Sequence, residues 1–320
     1  MAAVVETMAF VGEVPWHKLG IQVDEDIDLD EFRRSAGLDW EVQKSPVQFA
    51  GLCLPGANYG LHGFKDKFVL NRTTDNHPYA IVTSRYKPVQ PKEVFEFFRD
   101  LLSQQGMKMH TAGSLMDGGR IWALAKTGDS AFIRGMDKVD SYLLLSTSYD
   151  LTLSTVAQFT SVRVVCNNTL QQAVAGATAG RVSLTHCQDF NSDEIKSELG
   201  IGREQWAAFV HTLDVLGKIK LDGIKAREVM NTVFVLSEDI AIPDPNRLHA
   251  NNVVDLFTFE SYRGADLAGK TAWGLLNATT EYIDHHKRAR SQDNRLASAW
   301  FGPGAALKNE CVNELMKLAA

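Results

Sequence analysis

The chain has 320 residues, 45% of them hydrophobic and 22% charged, which is enough apolar material for one large domain or two modest ones. A net charge of −6 excludes a surface that is basic all over, and no run of about eighteen apolar residues occurs, so no membrane partner is expected. The opening MAAVVETMAFVGEVPWHKLG lacks a basic leader ahead of an apolar stretch, and a cytoplasmic protein is expected.

Charge is spread unevenly. Residues 1–64 carry four Lys/Arg against ten Asp/Glu, with six of the acids inside DEDIDLDE, Asp24 to Glu31. Residues 65–134 reverse the balance, with eleven Lys/Arg against seven Asp/Glu, so an anionic partner meets that region first. Cys53, Cys166, Cys187 and Cys311 are scattered without CxxC spacing. Neither a disulfide framework nor a zinc site is expected, and no metal or cofactor is assigned.

In chain order, PVQFAG and KFVLNRTT read as strands, the second ending in the turn-rich TDNHP. YAIVTSRYKPV reads as another strand folding back on KFVLNRTT in a hairpin closed by Pro88 and Pro91. PKEVFEFFRDLLSQQG reads as a helix, with proline at its start, Val94, Phe97, Phe98, Leu101 and Leu102 at helical spacing, and Gly106 at its end. MKMHTAGSL and RIWALAKTG flank the reversal MDGG and predict a second hairpin. SYLLLSTSYD and TVAQFTSVRVV follow as strands, and NNTLQQAVAGATAG starts as a helix. From about Asn191 the periodicity is helical, interrupted at IPDPN and ending in TAWGLLNATTEYIDHHKRAR. Strands followed by helices predict an α+β fold: an antiparallel β-rich core with a long helix over 1–190, then a helix-rich region over 191–320.

Several stretches carry candidate chemistry. GADLAGKT, Gly264 to Thr271, matches the phosphate-cradling pattern GxxxxGK[ST], in which Gly264, Gly269, Lys270 and Thr271 would hold a nucleotide. The alternative is a loop whose Thr271 caps the next helix, and too little chain follows for the parallel sheet of a nucleotide hydrolase. His285 and His286 are adjacent, so on an α-helix they point about 100° apart and cannot share one metal. The neighbouring Lys287, Arg288 and Arg290 read either as cations at the negative end of a helix or as phosphate contacts. In TSVRVVCNNTLQ, Cys166 is a possible nucleophile at a helix start or a small buried hydrophobe with Asn167 or Asn168 as the cap. The second reading is adopted, and no catalytic residue is assigned. Arg163, between Val162 and Val164, faces away from the core side of its strand. Arg72, Arg85 with Tyr86 and Lys87, and Arg120 with Trp122 run across the same kind of surface. Cations interleaved with rings suit a single-stranded polynucleotide, the cations tracking phosphates and the rings stacking on bases.

PWHKLG, VTSRYKPVQPKEVFEFF, SVRVVCNNTL and TAWGLLNATTEYIDH, in that order, resemble the phage/plasmid-like protein family, a domain of unknown function carried on phages, prophages and plasmids. The chain departs from that pattern at STSYDL, Ser146 to Leu151, where members often show Ser-His-Asp-Gly, so no role built on that histidine carries over. The mobile-element setting and the hairpin-and-helix core are similar to phage single-strand annealing proteins of the RecT/Redβ type. That likeness implies a homo-oligomer that binds single-stranded DNA in recombination or replication without ATP hydrolysis. The expected contacts are Arg72, Arg85, Lys87, Arg120 and Arg163 on phosphate and Tyr86 and Trp122 on bases, with Lys287, Arg288 and Arg290 secondary. The rivals are a nucleotide enzyme using Gly264 to Thr271 and a host-directed interaction protein binding through Asp24 to Glu31.

Overall fold

The computed structural model describes residues 7–12, 20–52, 59–163, 168–171, 181–199, 203–234 and 245–319. The N-terminal half runs β1 (Thr7–Val11), β2 (Ile21–Val23), α1 (Leu29–Ser35), β3 (Val42–Leu52), β4 (Tyr59–Arg72), β5 (Pro78–Val82) and α2 (Pro91–Gln105). It continues through β6 (Lys108–Leu115), β7 (Arg120–Ile133), β8 (Asp137–Ser148), β9 (Thr155–Arg163), β10 (Asn168–Gln171) and β11 (Arg181–Leu184). Helices follow: α3 (Ser192–Glu198), α4 (Arg203–Lys218), α5 (Gly223–Val233), α6 (Pro245–Thr258), α7 (Ala265–Ala268) and α8 (Ala272–Glu281). A π-helical turn, Tyr282–His286, then α9 (Gln292–Phe301) and α10 (Pro303–Met316) complete the chain. The fold is α+β, with a large, mainly antiparallel sheet and a helix-rich C-terminal region.

That sheet has eight strands in the order β10-β9-β8-β7-β6-β1-β2, with β11 also pairing β9. A separate three-stranded sheet has the order β3-β4-β5. Helix α2 forms where its sequence signals it. Pro91 needs no amide partner at the first turn, Glu93 accepts the Gln90 N–H at 2.7 Å, and Gly106 takes a left-handed φ of 68° at the end. Its Val94, Phe97, Phe98 and Leu101 are buried against one face of the large sheet, which supplies Ile121, Ala123, Leu143 and Leu145. The β6–β7 reversal also matches the sequence, Met116 and Asp117 both taking left-handed φ of 56°.

The opposite face of the sheet is also covered. Met8, Phe10, Leu115, Trp122, Leu124, Tyr142, Leu144 and Val162 pack with Ala297, Trp300 and Phe301 of α9. Gly113 lies across the ladder from Trp122, and a Cβ there would stand 2.6 Å from the indole, so only glycine lets the ring lie flat on the strand. The helical region closes its own core around Leu213, Met230, Phe257, Trp273 and Leu276, joined by Ile133 and Val139 from the far ends of β7 and β8.

Four expectations need correction. The two N-terminal strands were not anticipated. The strand read as YAIVTSRYKPV stops at Val82, because Thr83 to Tyr86 is a turn closed by the Tyr86 N–H on the Thr83 carbonyl. The segment read as a helix from Asn167 instead gives strand β10, where Asn168 pairs with Arg163, since the open edge of β9 supplies a ladder that a helix lacks. Asn168 is therefore no helix cap, while Cys166 and Asn167 lie outside the described residues. The last predicted helix stops short of Arg290: α8 ends in the π-turn at His286, and a further helix not anticipated, α9, starts at a Ser291 cap.

Candidate nucleic-acid interface

The small sheet bears a large irregularity. Gln48 pairs with Gly63 and Pro46 with Phe68, so the four residues Phe64 to Lys67 stand opposite the single Val47. A bulge of this size re-aims side chains away from the ladder. Asp66 takes a left-handed φ of 56° within it, a conformation that Asp tolerates better than most residues, and accepts the Ser84 N–H at 3.1 Å. Those hydrogen bonds from Ser84, helped by Lys67 and Arg85, hold the Asp66 carboxyl below the usual range. On the other side of the turn the Lys44 ammonium donates to the Ser84 and Tyr86 carbonyls at 2.9 and 3.0 Å. The bulge and the Thr83–Tyr86 turn are thereby tied into one knot that carries Lys44, Lys65, Lys67 and Arg85.

Around the knot the surface is apolar as well as basic. Phe49 is 51% exposed, Phe64 54% and Leu61 73%, and the His62 ring lies 5.5 Å from that of Phe49. Lys65, Lys67 and Arg85 make no salt bridge to a carboxylate among the described residues. Solvent-facing rings beside cations that outnumber the carboxylate among them, Asp66, combine both features needed to hold an unpaired strand.

Of the residues expected at such an interface, Arg85 belongs to this knot, while Tyr86 is its buried floor. Tyr86 is 7% exposed, stacks on His186 at 4.7 Å and donates its hydroxyl to the Ser148 carbonyl. Lys87 follows the turn but is paired with Asp189 at 2.6 Å. Arg72 lies at the far end of β4 and grips Asp75 with two hydrogen bonds of 2.9 and 2.7 Å, its guanidinium 5.6 Å over the Trp40 ring. The Asp75 carboxyl is accordingly held well below its ordinary range.

Arg120 and Trp122 belong to the large sheet, on the face that α9 covers, and are 6% and 3% exposed. Arg120 donates to the Thr152 hydroxyl and lies over Phe301, and the Trp122 indole N–H points to Thr111. Tyr86 and Trp122 thus present no ring face to a base, which corrects their expected role: His186 covers the Tyr86 ring, and α9 fills the sheet face that carries Trp122. The backbone of Arg163 pairs with Val139 and Asn168, and its side chain is outside the described residues. Arg288 and Arg290 are exposed in the link before α9, and the Lys287 N–H closes the π-turn on the Tyr282 carbonyl. These three sit on the helical region and not on the small sheet. The residues missed were Lys44, Phe49, Phe64, Lys65 and Lys67. The alternation FKDKF, with two lysines between phenylalanines, was the signal available for the last three.

GADLAGKT does not form a phosphate cradle. The apolar run before it is helix α6 where a P-loop requires a strand, and Gly264 to Gly269 wrap the short α7. Thr271 caps α8 by accepting the Gly274 N–H, gives its own proton to the Ala268 carbonyl and is buried, while Lys270 donates to the Thr258 carbonyl.

Beyond α8 lies a polar core that sequence spacing misjudged. In the π-turn both His285 and His286 reach back to Glu281, at 3.8 and 3.5 Å, since the wider turn brings adjacent residues onto one carboxylate. Glu281 is 3% exposed, and burial raises its pKa against the pull of Arg263 and His286. Next to it, Lys308 of α10 is fully enclosed and holds Asp284 at 2.5 Å. Among the described residues no three His, Cys, Asp or Glu side chains are grouped as a metal site requires. The ion pairs of Glu281 with the two histidines and of Asp284 with Lys308 make this cluster a buried electrostatic clasp.

Fold and surface together define an α+β protein with an exposed, bulged basic ribbon beside a sheet buried on both faces. A family model for a domain of unknown function, DUF932, matches residues 78–300, and the chain belongs to that family. No curated protein and no solved structure matches the chain. The matched stretch runs from β5 into α9 and so includes Arg85, Glu281 and Asp284, while Lys44, Phe49 and the Phe64–Lys67 bulge precede it and Lys308 follows it. No helix among the described residues is long and apolar enough to cross a membrane.

Proposed function

We propose that the protein binds single-stranded nucleic acid through the bulged ribbon. The observation that carries this is the knot of Lys65, Lys67 and Arg85, within salt-bridge reach of no described carboxylate, beside the exposed rings of Phe49 and Phe64. Phosphates would run along the cations and bases would stack on the rings, a mode that tolerates any sequence because every base has a face. Single-stranded DNA in a phage or plasmid setting, handled in the host cytoplasm during recombination or replication and without ATP hydrolysis, is the context that the family resemblance supports. The ribbon takes over the role first given to the large sheet, whose cations and rings are committed inside the protein.

Anisotropy of a labelled oligo-dT, titrated across salt, tests the reading. Three phosphate contacts give a log–log slope of roughly −2, about −0.7 for each. Lys65→Glu/Lys67→Glu should weaken binding by about 100-fold and flatten that slope. Absence of binding at about 50 mM salt, or binding indifferent to this double reversal, overturns the proposal.

A further inference from the structure

The ribbon has open edges as well as an exposed face. Strand β5 pairs with β4 only from Phe68 to Asn71, which leaves β4 from Tyr59 to Lys67 without a neighbour on that side among the described residues. Among the described residues the outer edge of β3 is covered at its base, where the Gln90 side chain bonds both Val42 N–H and Val42 C=O, and no described strand pairs with it there. Open edges beside exposed apolar side chains are templates for another chain.

A second open edge lies at the end of the large sheet. Among the described residues β2 pairs with β1 alone, Ile21 on it is 60% exposed, and the acidic segment begins at the next residue after the strand. The chain's own groups use only part of that acidity. Lys108 holds Glu25 at 2.5 Å, Arg33 holds Asp30 at 3.5 Å, and Asp28 caps α1. Asp24, Asp26 and Glu31 are exposed and make no salt bridge to a described cation.

One chain therefore carries two different surfaces of opposite sign, each with an open strand edge and a bare apolar side chain. We propose that copies of this chain dock head to tail, the bulged ribbon of one copy seating on the β2 edge and the Asp24–Glu31 segment of the next. Lys65 and Lys67 meet Asp24 and Asp26, and Phe64 and Leu61 cover Ile21. Because the two surfaces are distinct, the contact is heterologous and propagates from copy to copy, whereas a two-fold pairing would stop at a dimer. A second copy is favoured over a foreign partner because each chain carries both of the oppositely charged surfaces, one for each neighbour.

Sedimentation velocity of the full chain tests this without nucleic acid. At about 50 mM NaCl species larger than a monomer should form, and they should dissociate at about 500 mM, where charges are screened within a few ångströms. Lys65→Glu/Lys67→Glu alone and Asp24→Lys/Asp26→Lys alone should each be monomeric at low salt, since each sets like charges face to face. An equimolar mixture of the two variants restores opposite charge at every contact and should reassemble. Asp24, Asp26 and Lys65 are exposed and Lys67 is half-buried, and an unchanged Tm of each variant confirms folding. A wild-type monomer at low salt, assembly indifferent to either reversal, or a mixture that stays monomeric overturns the proposal. The reversal at Asp24 and Asp26 leaves the ribbon intact, so loss of assembly with oligo-dT binding retained separates this inference from the polynucleotide reading.

Discussion

The bulged ribbon and the clasp behind α8 use the same residue types to opposite ends. In the ribbon, Lys65 and Arg85 are exposed and Lys67 half-buried, none of them within salt-bridge reach of a described carboxylate, and the Phe49 and Phe64 rings stand in water. In the clasp, Lys308, Asp284 and Glu281 are enclosed by packed helices, and their charges are spent on one another and on the neighbouring histidines. Exposed charge costs little to keep and is available to a partner, whereas buried charge has lost its hydration and is tolerable only while its partner is present. A cation in this protein therefore reports function or stability according to which region holds it, not according to its identity.

The contrast can be broken most forcefully at Lys308. Lys308→Ala strands the Asp284 carboxylate and should lower unfolding free energy by about 3–5 kcal/mol, read from urea denaturation, while Asp284→Leu/Lys308→Leu should recover most of the loss. A small effect of the single change would mean that the clasp is hydrated. Next in size are the rings: Phe49→Ala or Phe64→Ala should weaken oligo-dT binding by about 1–3 kcal/mol with Tm unchanged. Trp122→Ala, by contrast, removes a buried ring and should lower Tm, and an oligonucleotide effect without a stability effect there would contradict its buried placement. Thr271→Ala should cost about 1 kcal/mol of stability through the lost cap on α8. Lys270→Ala should leave both stability and any Mg·ATP thermal shift untouched.

The smallest effect at neutral pH, and the sharpest in form, concerns Glu281. Its folded pKa is raised by burial, so the protonated side chain favours the folded state and that contribution is lost as pH rises through the raised value. Relative to Glu281→Gln, the wild type should be progressively less stable as pH climbs from the ordinary carboxylate range upward, read by urea titrations across pH. Parallel stability curves would show that Arg263 and the histidines fully offset the desolvation.

How much of this was legible beforehand depended on distance along the chain. Helix α2 could be read from Pro91, Glu93, its apolar spacing and Gly106, because each of those signals acts within a turn or two of the residue it affects. The Thr271 cap was legible for the same reason, and it decided against the nucleotide reading together with α6, which the apolar run VVDLFTFES did not distinguish from a strand. Trp122 and Arg120 were misplaced because α9, which begins 170 residues after Trp122, covers the face on which they lie. His285 and His286 were judged on α-helical spacing, and the π-turn changed the angle between them.

Sequence by itself determined the α+β class, the long helix, the β6–β7 reversal and the regional excess of positive charge, all of which rest on local propensity or on simple counting. Tertiary structure alone decided which cations face water. The choice between Lys65 outside and Lys308 inside depends on whether a distant helix packs over the site, and lysine carries no local mark of that outcome. The same holds for Asn168, which is drawn into a strand by an edge of β9 that exists only once the sheet has formed.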